Sequence, residues 1–149
     1  MTELHTFFQG ANNYLGVFYP NGYLTAMFPD LAIAQEVAKD LQFSGLFQPD
    51  EVLAVSGIEV IRHHVEHTKT PWGSMLTGVS RMIGTEAYWA DRDLDMAREG
   101  KALLAVHCPH DDAKKAAWER IARRHPLAAR YYSVGLGGIE HLAGDPQEG

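Results

Sequence analysis

The order of helix-like and strand-like segments constrains the fold of this chain most strongly. One helix is predicted after Asp30, whose side chain can cap it, and it ends at Ser44 and Gly45. A second helix is predicted to begin at Asp111 and Asp112, which are expected to cap it, and its apolar residues lie on one face. Runs rich in β-favouring residues flank both helices, at 15–28 around a Pro-Asn-Gly turn, 52–61, 101–106 and 129–134, and the last run can resume at Ile139.

This order, strand, helix, strand, strand, helix, strand, predicts an α+β fold of the ferredoxin-like sandwich type. Such a fold has a four-stranded antiparallel sheet with two helices on one face. We expect a single domain over residues 1–149, because a chain of this length can bury a core without disulfides. Four additions are expected: an aromatic arm at 1–14, an N-terminal hairpin, a helical insertion at 72–99 between the second and third strands, and a flexible tail at 144–149. The insertion includes a helix that ends at Gly100.

The segment at 52–61 allows two interpretations. Its Val, Ile and Leu residues occur at both odd and even positions, which favours a strand that is covered on both faces. A helix over 58–67 is the competing interpretation. In a strand, His63 and His67 would lie about 13 Å apart, whereas in a helix they would share one face and could bind a metal ion together. We favour the strand.

A sheet with helices on one face leaves its other face bare. Because large exposed apolar patches are rare in monomers, the insertion, the aromatic arm or a second subunit must cover that face. This reasoning predicts a homodimer.

Several segments resemble a known family. Residues 84–90 (Gly-Thr-Glu-Ala-Tyr-Trp-Ala), residues 98–106, the helix from Asp111 and the pair at 131–132 resemble the general-stress-protein family of small bacterial domains, the heat-induced stress protein type. The resemblance implies a ferredoxin-like, dimeric bacterial protein without an established reaction, and it supplies no catalytic residues. The chain departs from the family in its extra hairpin and in lacking a glycine zipper, since Gly73, Gly78 and Gly84 are spaced by five and six.

Eight histidines are the most unusual feature of the composition, and five of them lie in two clusters, at 63–67 and at 107–110. The candidate ligands of zinc or another transition metal are His63, His67, His107 and His110. In the predicted sheet the two clusters lie at opposite ends, so one chain cannot combine them into a single site, whereas a dimer could. Because residues 58–61 favour a strand, the first cluster is expected to be a solvated strand end.

Cys108 lies between a strand and a helix N-terminus, where backbone amides and the helix dipole can lower the pKa of a thiol. The competing interpretation, which we favour, is that Cys108 is a small buried hydrophobic residue.

Two sets of charged residues are expected to be solvated. Asp91, Asp93 and Asp95 have the spacing of a calcium loop, but Met96 and Ala102 replace its glycine and its glutamate, which favours an exposed helix face. The basic residues are predicted to form the outer side of an amphipathic helix: Lys114, Lys115, Arg120, Arg123, Arg124 and Arg130.

The net charge of −6 argues against nucleic acid or anionic lipid as a main partner. No run of about 18 apolar residues is present, and the first residues lack the pattern of a signal peptide. Together with a single cysteine, these features lead us to expect a cytoplasmic protein that does not bind membranes.

The leading functional hypothesis is a non-catalytic ligand-binding or protein-interaction module that acts as a homodimer. A small molecule would lie between the sheet and the insertion, and the candidate pocket residues are Trp72, Tyr88, Trp89 and Cys108. The alternative is a histidine-based metal-binding or haem-binding enzyme or sensor of the dimeric α/β type.

Overall fold

The computed structural model describes Phe7 and residues 22–62, 91–133 and 139–143. Within these residues the fold is α+β, with one five-stranded antiparallel sheet of order β2-β3-β1-β4-β5. The strands are β1 (Tyr23–Phe28), β2 (Val52–Val55), β3 (Ala102–His107), β4 (Ala128–Tyr132) and β5 (Ile139–Ala143). The helices are α1 (Leu31–Phe43), α2 (Asp91–Arg98) and α3 (Asp111–Ala122), with a 3₁₀ turn at Pro49–Glu51 and a further helical segment at 57–62.

Helix α1 forms as its sequence predicts. The Asp30 side chain accepts a hydrogen bond from the backbone N–H of Ile33 at 2.9 Å, and this bond satisfies one of the unpaired amides of the first turn. Gly45 adopts a φ of 80°, which L-residues with a side chain rarely adopt, and the helix stops there. The buried side of the helix consists of Ala34, Val37, Ala38 and Leu41.

Helices α1 and α3 pack on the same face of the sheet and form the first core cluster. The cluster includes Leu24, Phe28, Leu41, Leu104 and Ile121, which are all fully buried. The N-cap of α3 is His110, and Asp111 and Asp112 lie in the first turn rather than at the cap. They still interact favourably with the helix dipole in that position.

The prediction of a strand over 52–61 is wrong for the second half of that segment. Only Val52–Val55 is extended, and residues 57–62 are helical. The backbone N–H groups of Glu59 and Val60 donate to the carbonyl of Ser56, and Val60 is fully buried. A side chain added at Gly57 would place its Cβ 2.2 Å from the carbonyl oxygen of Ala97 in α2. This close approach to α2 is a tertiary contact, which a local pattern of β-branched residues does not reveal.

The other face of the sheet is covered within the same chain. We call its apolar residues the second core cluster: Tyr23, Met27, Val55, Val60, Leu94, Ala97, Leu103 and Ala105. Leu94 and Ala97 come from α2, inside the expected insertion, and Phe7 of the aromatic arm packs against the cluster. The argument for a homodimer from a bare sheet face therefore does not apply, although dimerisation itself stays a prediction.

Three other predicted features of secondary structure agree with the structure. The second arm of the expected hairpin is β1, and the resumption expected near residue 139 is a fifth strand, β5, next to β4. Gly100, at a φ of 90°, follows α2. The first arm of the hairpin and the tail at 144–149 lie outside the described residues.

Candidate functional site

Polar side chains interrupt the second face of the sheet near its centre. Thr25 in β1 lies opposite Arg130 in β4, and both residues are buried. Asp93 reaches Arg130 from α2 and is only 2% exposed. Tyr132, two residues along β4, lies on the same side of the strand as Arg130. We call Thr25, Asp93, Arg130 and Tyr132 the Arg130 cluster.

The centre of this cluster is an ion pair that is almost completely removed from water. The Nη1 atom of Arg130 donates to Oδ2 of Asp93, and the two side chains are 8% and 3% exposed. Burial opposes the charged form of Arg130, but Tyr132 and Asp93 outweigh it, so that the pKa of Arg130 is raised. The guanidinium therefore stays charged inside the protein.

Stability alone does not explain this pair. Two charges lose their hydration on burial, and replacing such a pair with apolar residues of similar volume is often neutral or stabilising. The surroundings are apolar, since Met27, Leu94 and Ala105 of the second core cluster are buried on the same side of the sheet. Because apolar residues could fill both positions without loss of stability, and buried charged groups cluster at functional sites, we take the pair as the mark of a candidate binding site on the second face.

An aromatic group lies at one end of the second face. The ring of Tyr23 stacks on His107, with centroids 4.5 Å apart, and meets Phe7 edge-on at 5.4 Å. The hydroxyl of Tyr23 donates to the backbone carbonyl of Phe7 at 3.0 Å, and burial raises the pKa of Tyr23. His107, a candidate metal ligand from the sequence, thus packs against a tyrosine ring.

Cys108 lies on the opposite face, in the first core cluster. It is fully buried, and burial raises the pKa of its thiol to about 12. Its Sγ lies 3.6 Å from the carbonyl oxygen of Val106, and its own carbonyl accepts a hydrogen bond from the Tyr131 hydroxyl at 3.0 Å. The interpretation as a buried hydrophobic residue is confirmed, and Cys108 does not contribute to the face that carries Arg130.

The other candidate residues are not brought together by the structure. His110 is exposed beside α3, and within the described ranges no three His, Cys, Asp or Glu side chains could jointly hold a metal ion. Residues 57–62 leave β2 at the end of the sheet opposite to His107, because Val55 pairs with Leu103. Five candidates lie outside the described residues: His63, His67, Trp72, Tyr88 and Trp89.

The two charged residues of the Arg130 cluster differ from their sequence predictions. Asp93 is predicted on a solvated helix face and Arg130 on the outer side of a helix, but both are buried. One sequence feature indicates burial at each position. Asp93 precedes the apolar Ala97 by one helical turn, and Arg130 lies inside a run of alanine and tyrosine.

No family model, curated protein or solved structure matches the chain. The resemblance to the general-stress-protein family therefore stays a prediction. Among the described residues, no helix has the length and apolar character needed to cross a lipid bilayer.

Proposed function

We propose that this domain is a non-catalytic module that binds a small molecule on the second face of its sheet, beside the Arg130 cluster. The observation that carries the proposal is the buried ion pair of Arg130 and Asp93 between β4 and α2. Small-molecule sites are mostly apolar with a few placed polar groups, and the second core cluster around Arg130 has this composition. Trp72, Tyr88 and Trp89 of the insertion are proposed to complete the site.

The chemistry of the described residues favours binding over catalysis. Cys108 is protonated near neutral pH because burial raises the pKa of its thiol, and Tyr23 shifts in the same direction for the same reason. Arg130 keeps its proton and can orient an anion, but it cannot act as a general base.

The proposed fold is a ferredoxin-like sandwich with one added strand. Strands β2, β3, β1 and β4 are neighbours in that order, every adjacent pair is antiparallel, and β5 extends the sheet beyond β4. Helix α1 connects β1 to β2, and α3 connects β3 to β4. This connectivity supports two βαβ units around one sheet.

The homodimer remains part of the proposal, on the strength of the family resemblance. Light scattering at micromolar concentration should then give twice the 16.6 kDa of one chain. A mass of one chain under these conditions would remove the dimer and leave the ligand site intact.

Methyl NMR with three aromatic probes tests the binding site directly. Benzoate, benzamide and benzylamine have similar apolar bodies and differ in charge. We expect at least one of them to shift the methyl signals of Thr25 and Ala105, which are neighbours in the sheet, in a saturable manner. Ala117, buried in the first core cluster, supplies a control signal that should not move. If none of the three probes shifts Thr25 or Ala105, the site is wrong.

Metal analysis and an absorption spectrum separate this proposal from the histidine-based alternative. Protein purified without a histidine tag should contain neither a stoichiometric metal nor a Soret band. A one-to-one metal content would favour the alternative.

A further inference from the structure

We infer that the ligand of this site carries a carboxylate, which takes the place of the Asp93 side chain on Arg130. This inference rests on the proposed function, because it specifies the chemistry of the molecule that binds beside the Arg130 cluster. Two observations support it. Arg130 and Asp93 lie on elements of different kinds, and the negative charge beside Arg130 must be replaced when Asp93 leaves.

The two partners of the ion pair belong to elements of different kinds. Arg130 lies in β4, which is hydrogen-bonded to β1 on one side and to β5 on the other. Asp93 lies in α2, an eight-residue helix that covers the second face. The guanidinium is therefore held by the sheet, while its anion comes from a covering element. An incoming ligand would meet Arg130 in place and would compete with Asp93.

The charge of Arg130 restricts what can replace Asp93. The guanidinium stays ionised in the interior, and a buried charge without a partner is strongly unfavourable. A neutral molecule cannot supply the missing negative charge. A carboxylate exchanges one negative charge for another, so the charge beside Arg130 is conserved.

Asp93 holds Arg130 through one oxygen of its carboxylate. Arg130 and Asp93 share one hydrogen bond, from Nη1 to Oδ2. A guanidinium can hold a carboxylate with two parallel hydrogen bonds, which is the preferred geometry of such pairs. A free carboxylate is not tied to a helix and can adopt that geometry. Asp93 thus acts as an internal competitor that a suitable acid displaces.

A comparison of benzoate with benzamide tests the ligand class in the wild-type protein. The two molecules have nearly the same shape, but only benzoate carries a negative charge. We expect benzoate to shift the Thr25 methyl signal and benzamide at the same concentration to leave it in place. Equal binding of the two, or binding of benzamide alone, would overturn the carboxylate inference while the binding site itself would survive. Binding of neither would overturn the carboxylate inference, and the binding site would fall with it only if benzylamine also failed to bind.

Substitution of Asp93 tests the exchange. Suppose that Asp93 leaves Arg130 accessible in about one molecule in a hundred. Removal of the Asp93 charge then increases the apparent affinity for benzoate by up to about a hundredfold. Asp93→Asn should therefore bind benzoate about ten to a hundred times more tightly than the wild type. Unchanged or weaker binding would contradict the exchange.

Two further variants keep the test decisive if Asp93→Asn folds poorly. The double variant Asp93→Leu with Arg130→Met removes both charges of the ion pair and should lose benzoate binding while remaining folded. Arg124→Met removes an exposed arginine that pairs with Glu36 on α1, away from the Arg130 cluster, and should bind benzoate like the wild type. Retention of binding by the folded double variant would overturn the inference.

Discussion

Arg124 and Arg130 are the same residue type in two environments. Arg124 pairs with Glu36 at the surface, where the side chains are 42% and 61% exposed. Arg130 pairs with Asp93 in the interior, where both are nearly inaccessible. Water screens the pair of Arg124 and Glu36, and it hydrates both side chains when the pair breaks. The buried pair of Arg130 and Asp93 has no water to take the place of a lost partner. The loss of an arginine should therefore affect stability very differently at the two positions.

Substitution of Arg130 alone should be far more harmful than substitution of Arg124. Arg130→Met leaves the Asp93 carboxylate buried without the guanidinium that balances its charge, and we expect a loss of about 3–5 kcal/mol in the free energy of unfolding. Arg124→Met should cost less than about 1 kcal/mol. The double variant Asp93→Leu with Arg130→Met should regain most of the loss, because no charge remains inside. Urea unfolding measures all three. A small loss for Arg130→Met would show that Asp93 is not confined to the interior.

The thiol of Cys108 makes stability depend on pH above neutrality. Its pKa is raised from an ordinary 9.0 to about 12 in the folded protein, so between these values the unfolded chain loses a proton that the folded chain retains. Stability should therefore fall as pH rises through this range, by up to about 1.4 kcal/mol for each pH unit. Below pH 8 the effect should vanish, because the thiol is protonated in both states.

The matched control for this effect is Cys108→Ala, which removes the thiol and keeps a small buried side chain. Urea unfolding from pH 8 to pH 11 should show a steeper decline for the wild type than for the variant. Parallel curves would mean that the thiol titrates similarly in both states and is not shielded from water.

At the scale of secondary structure, the sequence predicted those elements whose signals are local. Asp30 and Gly45 delimit α1, and the apolar run in β3 forms a strand as expected. The segment at 57–62 is helical where the sequence predicts a strand, and it packs closely against α2, which is distant along the chain. The ion pair of Asp93 and Arg130 was not predicted either, and 37 residues separate its partners. Residue propensity and spacing report only on interactions between neighbours in sequence. The helix at 57–62 and the ion pair both involve contacts between distant parts of the chain.

The contact between Gly57 and α2 should not tolerate even one added methyl group. In Gly57→Ala the new Cβ would lie 2.2 Å from the carbonyl oxygen of Ala97, so one of the two helical segments must move. Such overpacking costs about 1–3 kcal/mol, which thermal unfolding can measure. Gly100→Ala is the control, because open space surrounds that position and its cost arises only from a φ of 90°. A loss below about 0.5 kcal/mol for Gly57→Ala would contradict the close approach.

At the scale of the whole molecule, the sheet is enclosed on both faces by segments of its own chain. Helices α1 and α3 cover one face, and α2, the segment at 57–62 and Phe7 pack on the other. The ion pair of Arg130 and Asp93 lies under α2, and its two side chains are nearly inaccessible to water. A ligand can therefore reach the Arg130 cluster only if α2 moves away while the sheet remains intact.

Hydrogen exchange in low urea distinguishes such local opening from global unfolding. Amides of β3, a strand paired on both sides, should exchange only through global unfolding, with protection that decreases steeply as urea is added. Amides in the interior of α2 should exchange through a smaller opening that depends weakly on urea. If α2 opens at a lower free energy than β3, a molecule can enter beside Arg130 without unfolding of the core. If α2 and β3 exchange with the same free energy and the same urea dependence, α2 does not open separately, and the site is closed to ligands in the native protein.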